Sequence, residues 1–231
     1  MPACAISVLF ATTNRGKLAE MHALLGDLPI EVLSLAQVLP GAPAVLENGT
    51  TFEENALLKG RFALKGSLMV TIAEDSGLEV DALGGRPGVR SARFAREGAT
   101  DAENNAALLQ ALEDVDDEQR TARFRCAVAL FDPWVSDQAQ VFVGTCEGRI
   151  AHQPRGTAGF GYDPLFIVQG HEKTMSELTP TEKNLVSHRG RAIAKLKEEF
   201  GRALSARVHE SHRSDHQHSQ PAIIDPIGGC G

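Results

Sequence analysis

Unbroken apolar runs alternate along this chain with stretches of helical spacing, and polar, glycine-containing breaks separate them. Residues 6–11 (ISVLFA) form a short continuous apolar run, the pattern of a strand buried on both faces. The run breaks at Thr12-Thr13-Asn14-Arg15-Gly16-Lys17, after which Leu18, Met21, Leu24 and Leu25 recur at helical spacing. Thr51 and Glu54 predict a capping box, opening a helix that runs through Phe52, Leu58 and Phe62 to about Lys65. Residues 69–73 read as another buried strand, ending at Glu74-Asp75-Ser76-Gly77.

A glycine-rich loop, Gly84-Gly85-Arg86-Pro87-Gly88, precedes a helix that opens on Thr100 and Glu103, again a capping pair. The acidic stretch 113–118 reads as a solvated loop. Long strands at 122–131 and 139–150 join through a turn at Asp132-Pro133, and a loop over 156–164 leads to a short strand at 165–168. Thr179-Pro180-Thr181-Glu182 announces a helix with an N-cap, proline at its first position and glutamate at its third. Ile193, Leu196, Phe200 and Leu204 are the apolar stripe of the last helix. Strands mixed with helices in this order predict an α/β fold with a mixed sheet. Residues 206–231 are polar, end in Pro and Gly and show no period, which predicts a disordered tail behind a single domain over 1–205.

Composition narrows the function classes. At 231 residues, 42% of them hydrophobic, the chain can bury a full core as one domain with two lobes. A net charge of −7 argues against a broad nucleic-acid surface and leaves a cleft that gathers a few cations as the way to hold a polyanion. Cys4, Cys126, Cys146 and Cys230 are scattered, with no C-x-x-C pair, and read as reduced thiols. No basic residue precedes Arg15, and no apolar stretch approaches membrane-spanning length, so the expectation is a soluble, cytoplasmic protein. Asn48-Gly49-Thr50 is then an idle glycosylation match.

Several segments carry candidate chemistry, each with a plain structural alternative. The break at 12–17 places backbone N–H groups, a helix start and Lys17 at one point, which suits phosphate, although the P-loop spacing is absent; it can also be only a turn. Glu74 and Asp75, with Glu47 earlier in the chain, can hold Mg²⁺ or orient a water, and Asp75 can equally cap a turn through Ser76-Gly77. Lys59 lies one helical turn after Asn55 on the same face, where a solvated surface lysine is ordinary. The loop GTAGFGYDP combines close backbone approach with rings that stack on a base or pack into the core. In KNLVSHRGR, Lys183, His188 and Arg189 supply donors, or simply solvate a helix end. The histidines within 209–218 impose no ligand geometry.

Five segments, taken in order, resemble the Ham1-like inosine/xanthosine triphosphate pyrophosphatase family: LFATTNRGKLAEM, TFEENALLKGRFA, AEDSGLEVDALGGRPGVRSARF, PRGTAGFGYDPLF and ELTPTEKNLVSHRGRA. The resemblance spans residues 6–204 and implies a homodimer of two-lobed α/β subunits with the nucleotide in a cleft between lobes. It makes Thr12, Thr13, Asn14, Arg15, Gly16 and Lys17 the triphosphate loop, with Thr13 where the family usually has glycine. Asp75 matches the catalytic carboxylate that also serves the metal, Glu47 a second metal-side carboxylate, Lys59 a catalytic cleft lysine and Ser76 a substrate contact. Glu74 stands where aspartate is common. Phe160, Gly161, Tyr162 and Asp163 match the nucleoside-binding loop, and Lys183, His188 and Arg189 the base-recognition group.

The implied reaction converts a non-standard purine triphosphate (ITP, dITP or XTP) and water to the monophosphate and pyrophosphate. Mg²⁺ on Asp75 and Glu47 would neutralise phosphate charge, Asp75 would orient the attacking water, and Lys17 and Lys59 would stabilise the departing pyrophosphate. Arg189 and a protonated His188 would offer only donors, favouring a 6-oxo purine over adenine. A nucleotide sensor without hydrolysis, and a pyrophosphatase for other bases, are the competing readings.

Overall fold

The computed structural model describes residues 6–136 and 138–200. Cys4, Cys230, Leu204 and the expected tail over 206–231 lie outside these. Contacts gather the chain up to Leu196 into one unit and assign Lys197 onward to a second, of which 197–200 are described and helical. Everything below concerns the first unit.

Its frame is a six-stranded mixed sheet in the order β2-β1-β3-β4-β5-β6. The strands are β1 (Ile6–Phe10), β2 (Ile30–Ser34), β3 (Val70–Val80), β4 (Thr121–Phe131), β5 (Gln140–Ile150) and β6 (Phe166–Val168). β1 pairs parallel with both β2 and β3, and every later pairing is antiparallel. β2, together with the short helix α2 (Leu35–Val38), is not marked by the apolar pattern, because this edge strand fully buries only Val32.

The chain passes from β1 through α1 (Arg15–Leu25) to β2 on one side, then returns through α3 (Phe52–Ser67) to β3 on the other. Right-handed crossovers in opposite directions put α1 and α3 on opposite faces of the sheet. The contacts agree: Lys17 of α1 reaches Glu74, whereas Lys59 of α3 reaches Asp75. On the α3 face, Ala63 packs with Leu9 and Ala73, and Phe52 and Ala56 with Ala127 and Phe131. On the other face a larger cluster joins Leu78, Phe124, Tyr162 and Phe166 to Leu108 of α4 (Asp101–Ala111).

Two expectations need correction. β3 does not end at Glu74-Asp75; it continues to Val80, because β4 pairs antiparallel with it along Thr71–Val80 even though β1 accompanies it only as far as Ile72. Asp75 therefore sits mid-strand, just past the carboxyl end of the parallel segment, where such sheets open a crevice. At Thr51 only half of the capping box forms. The Thr51 hydroxyl accepts from the Glu54 amide, but the Glu54 carboxylate turns to the Thr50 amide at 2.6 Å and its hydroxyl at 2.9 Å. The boxes at Thr100 and Thr179 are complete.

The segment after Thr179 forms two helices. α5 (Pro180–Val186) stops at Ser187, whose extended backbone breaks the run and whose hydroxyl accepts from the Gly190 amide at 3.0 Å. The chain is helical again from residue 188, and this stretch lies against the sheet at Gly144 of β5. A Cβ at Gly144 would stand 2.0 Å from the His188 carbonyl oxygen and 2.6 Å from the Ala192 nitrogen, so only glycine lets the helix seat. Backbone atoms cannot swing aside. Gly144→Ala should cost about 1–3 kcal/mol, lowering Tm by roughly 2–10 °C in a thermal melt; an unchanged melt would mean that this contact does not set the helix position.

Candidate functional site

The end of β1 builds the first wall. Asn14 N-caps α1, its side-chain oxygen accepting from the Lys17 amide at 3.0 Å, while the Thr12 hydroxyl accepts from the Asn14 amide at 3.2 Å. Side-chain caps thus shape a helix start whose positive end suits an anion. Thr12, Thr13, Asn14 and Lys17 line a cavity of about 350 Å³. Arg15 points elsewhere; it is exposed and not among the lining residues. Gly16 lies behind the wall, where a Cβ would come within 2.7 Å of the Phe160 ring, so its smallness joins this loop to the loop carrying Phe160.

β3 supplies two carboxylates that serve different faces, because successive side chains on a strand point to opposite sides. Asp75 lines the cavity with one oxygen on Lys59 at 2.8 Å and the other on the amide nitrogen of Asn55 at 3.1 Å. Lys59 also meets Glu47 at 3.3 Å, so a single ammonium gathers both candidate metal-side carboxylates. The buried Asn55 accepts from the Gly49 amide at 2.8 Å and thereby pins the segment that carries Glu47.

Glu74 faces away from that cluster and does not line the cavity. It is buried and accepts from Arg189 at 2.6 and 2.8 Å and from Lys17 at 3.0 Å. Burial alone would raise its carboxyl, but the charges of Arg189 and Lys17 outweigh that and hold it well below the usual range. Conversely, Glu74 outweighs the desolvation of Lys17 and raises its ammonium. The ion pairs continue in alternating sign: Arg189 also meets Glu20 of α1, Glu20 meets Lys183 at 2.7 Å, and Lys183 meets Asp163 at 2.5 Å.

Asp163 in turn accepts from the Phe160 amide at 2.9 Å and closes the loop over 156–164. Gly161 is clamped from both sides: its amide donates to Asp101 at 2.7 Å, and its carbonyl accepts from Asn105 at 2.9 Å. The two aromatics of this loop divide the alternatives between them. Tyr162 is a core residue whose hydroxyl donates to the Ser91 carbonyl at 2.8 Å. Phe160 is half-buried and presents its ring to Lys183 and Arg189 at 5.0 and 5.6 Å.

The chain thus brings Ser76, Phe160, Gly161, Tyr162 and Asp163 to the same cavity as the β1 loop, together with Lys183, His188 and Arg189. His188 stacks on Phe124 with centroids 4.8 Å apart, and its Nδ1 is buried without a partner among the described residues. Burial and then the Arg189 charge hold its imidazole well below its ordinary value, so it is neutral at pH 7; the expectation of a protonated, donor-only His188 is corrected. Most of the guanidinium of Arg189 is spent inside the network, on Glu74, Glu20 and the Ser76 hydroxyl.

Glu20, Asn55 and Asp101 escaped the sequence reading. A signal existed for Glu20: it shares the buried face of α1 with Lys17 and Met21, and a carboxylate there needs a partner. Among the described residues no three His, Cys, Asp or Glu side chains gather around one point.

The Ham1 family profile matches residues 8–199. The dITP/XTP pyrophosphatase of Geobacillus kaustophilus (strain HTA426) is 51% identical over 193 residues, 84% of this chain and 93% of that protein. That of Geobacter sulfurreducens is 51% identical over 194 residues, 84% and 96% of the two chains. The solved structure of a HAM1 protein from Coxiella burnetii superposes with a TM-score of 0.77 at 43% identity, covering 85% of this chain and 99% of that one.

The Glu74 network sets a pH dependence. Its folded pKa lies below the unfolded value of about 4.5, so its contribution is full above that pH and is lost as pH falls through the lowered value. Glu74→Gln should cost about 3 kcal/mol at pH 7, because Lys17 loses its carboxylate and Arg189 keeps only Glu20. Urea midpoints of wild type and variant should draw closer as pH falls below about 4.5; parallel curves would show that Glu74 is not the titrating group.

Proposed function

This chain belongs to the Ham1 family, and on that premise we propose that it hydrolyses non-canonical purine nucleoside triphosphates to the monophosphate and pyrophosphate, removing them from the nucleotide pool. The observation that carries this reading is Asp75 held by Lys59 and Asn55 at the wall of a cavity that also presents a helix start and a half-buried aromatic ring. A nucleotide uses all three features. The start of α1 with Lys17 takes the phosphates, Phe160 takes the base, and Asp75 faces the α-phosphorus between them.

Mg²⁺ is part of the proposal, with Asp75 and Glu47 as its protein ligands. The donor chemistry fits: Asp75 and Glu47 converge on Lys59, and Mg²⁺ takes one or two carboxylates with water and phosphate oxygens for the rest of its shell. When bound it neutralises phosphate charge. The chain's own residues do the rest. Lys59 and Asn55 fix both oxygens of Asp75, which orients a water and takes its proton. Lys17 and Lys59 offset the charge that builds on the departing pyrophosphate.

Base selection follows from donors and acceptors. Arg189 has no acceptor to offer adenine's 6-amino group, and its remaining N–H suits a 6-oxo group. His188, being neutral, contributes shape and one orientable ring nitrogen rather than charge. Among the described residues no helix is long and apolar enough to cross a membrane. We place the protein in the cytoplasm, in keeping with the free thiols of Cys126 and Cys146, and as a homodimer, which light scattering would test.

The assay is incubation with ITP, dITP, XTP, ATP, GTP and TTP, with and without Mg²⁺, followed by product identification. Pyrophosphate and monophosphate from the 6-oxo, non-standard purines are expected, and chelation should abolish them. Asp75→Asn should lower kcat by roughly a hundredfold or more, with a fold that survives at a lowered melt because its amide faces the donors of Lys59 and Asn55; near-normal pyrophosphate release from it would sink the mechanism. His188→Ala should narrow the ITP-to-ATP ratio of kcat/KM by roughly tenfold. An unaltered ratio removes His188 from base recognition.

A further inference from the structure

The cationic side chains lining the cavity are Lys17, Lys59, Arg93, Lys183 and Arg189. Four of them are committed to carboxylates that are themselves buried or partly buried: Lys17 and Arg189 to Glu74, Lys183 to Glu20 and Asp163, and Lys59 to Asp75 and Glu47. Each of these four shares its charge with a carboxylate before any ligand enters. Arg93 differs.

Its guanidinium meets Glu97 at 3.3 Å, but the Glu97 side chain is 76% exposed, so water and salt screen the pair. Glu97 also lies 3.6 Å from Arg90, so Arg93 can leave it without orphaning a charge. The other contact of Arg93 is a donated bond to the Glu47 carbonyl at 3.3 Å, which places it on the Asp75–Glu47–Lys59 side of the cavity, toward the phosphate end. A triphosphate brings several negative charges into a cavity whose other cations are already shared with carboxylates, so a further cation with a weakly held counter-ion is the readiest to meet them. A planar guanidinium with a loosely held counter-ion suits phosphate oxygens in bidentate fashion.

We propose that Arg93 binds the phosphate chain of the substrate, exchanging Glu97 for phosphate oxygens. This rests on the nucleotide reading above and adds a phosphate ligand from outside the β1–α1 loop. Because Arg93 also holds the Glu47 carbonyl, phosphate binding and the placing of the Glu47 segment share one side chain.

Calorimetric titration of the full chain with tripolyphosphate and, separately, with inosine tests it. Arg93→Ala should weaken tripolyphosphate roughly 10- to 100-fold and leave inosine within about twofold, with Arg93→Lys recovering part of the loss. Glu97→Gln, an exposed change that keeps the fold, should tighten tripolyphosphate a few-fold by removing the competitor. Equal losses of both ligands in Arg93→Ala, or no tightening in Glu97→Gln, overturn the proposal. A chain that binds tripolyphosphate through Arg93 yet hydrolyses no nucleotide supports it and sinks the pyrophosphatase reading instead.

Discussion

A buried charge must be paired, and here the pairs form one chain of alternating sign from Lys17 through Glu74, Arg189, Glu20 and Lys183 to Asp163. An isolated ion of this kind would cost several kcal/mol in the interior, so each member requires the next to be in place. The members come from α1, β3, α5, the helix after Ser187 and the loop over 156–164. The phosphate-side and base-side walls are therefore not independent. Moving any one element breaks a pair, and the cavity keeps its shape for electrostatic as much as for apolar reasons.

The sheet makes this network compatible with chemistry next door. Glu74 and Asp75 are adjacent in the chain, yet strand alternation sends them to opposite faces, and the opposed crossovers of α1 and α3 meet each with its own lysine. Glu74 is saturated by partners and held ionised as a structural anion. Asp75 keeps its place on the cavity wall, bound among the described residues to Lys59 and Asn55. Two like charges on neighbouring residues thus avoid one another and perform separate tasks.

Close backbone approach is the second requirement. Gly144 admits the helix that presents His188 and Arg189, and Gly16 admits the Phe160 ring. Both glycines are invisible as functional residues in a contact list of side chains, because their contribution is the space they leave. His188 shows the complementary effect: its stacking on Phe124 and its neutral state follow from what surrounds it, not from its residue type.

Local signals were legible in the chain by itself. The apolar runs of β1, β4 and β5, the hydroxyl caps at Thr51, Thr100 and Thr179, and the proline opening α5 depend on interactions within a few residues, which sequence spacing determines. The motif order also carried the family, and every site residue it named except Arg15 and Gly16 lines the cavity. What spacing could not supply was partnership across the fold. The continuation of β3 past Asp75 needed β4 beside it, and the edge strand β2 had too little buried surface to leave a pattern. The assignment of Glu74 to Arg189, 115 residues away, rather than to a metal, the turning outward of Arg15, and the pairing of Glu20 with Lys183 were decided only in three dimensions. The reason is physical: a carboxylate's role depends on which cations burial forces against it, and that is a property of the packed structure rather than of the neighbouring sequence.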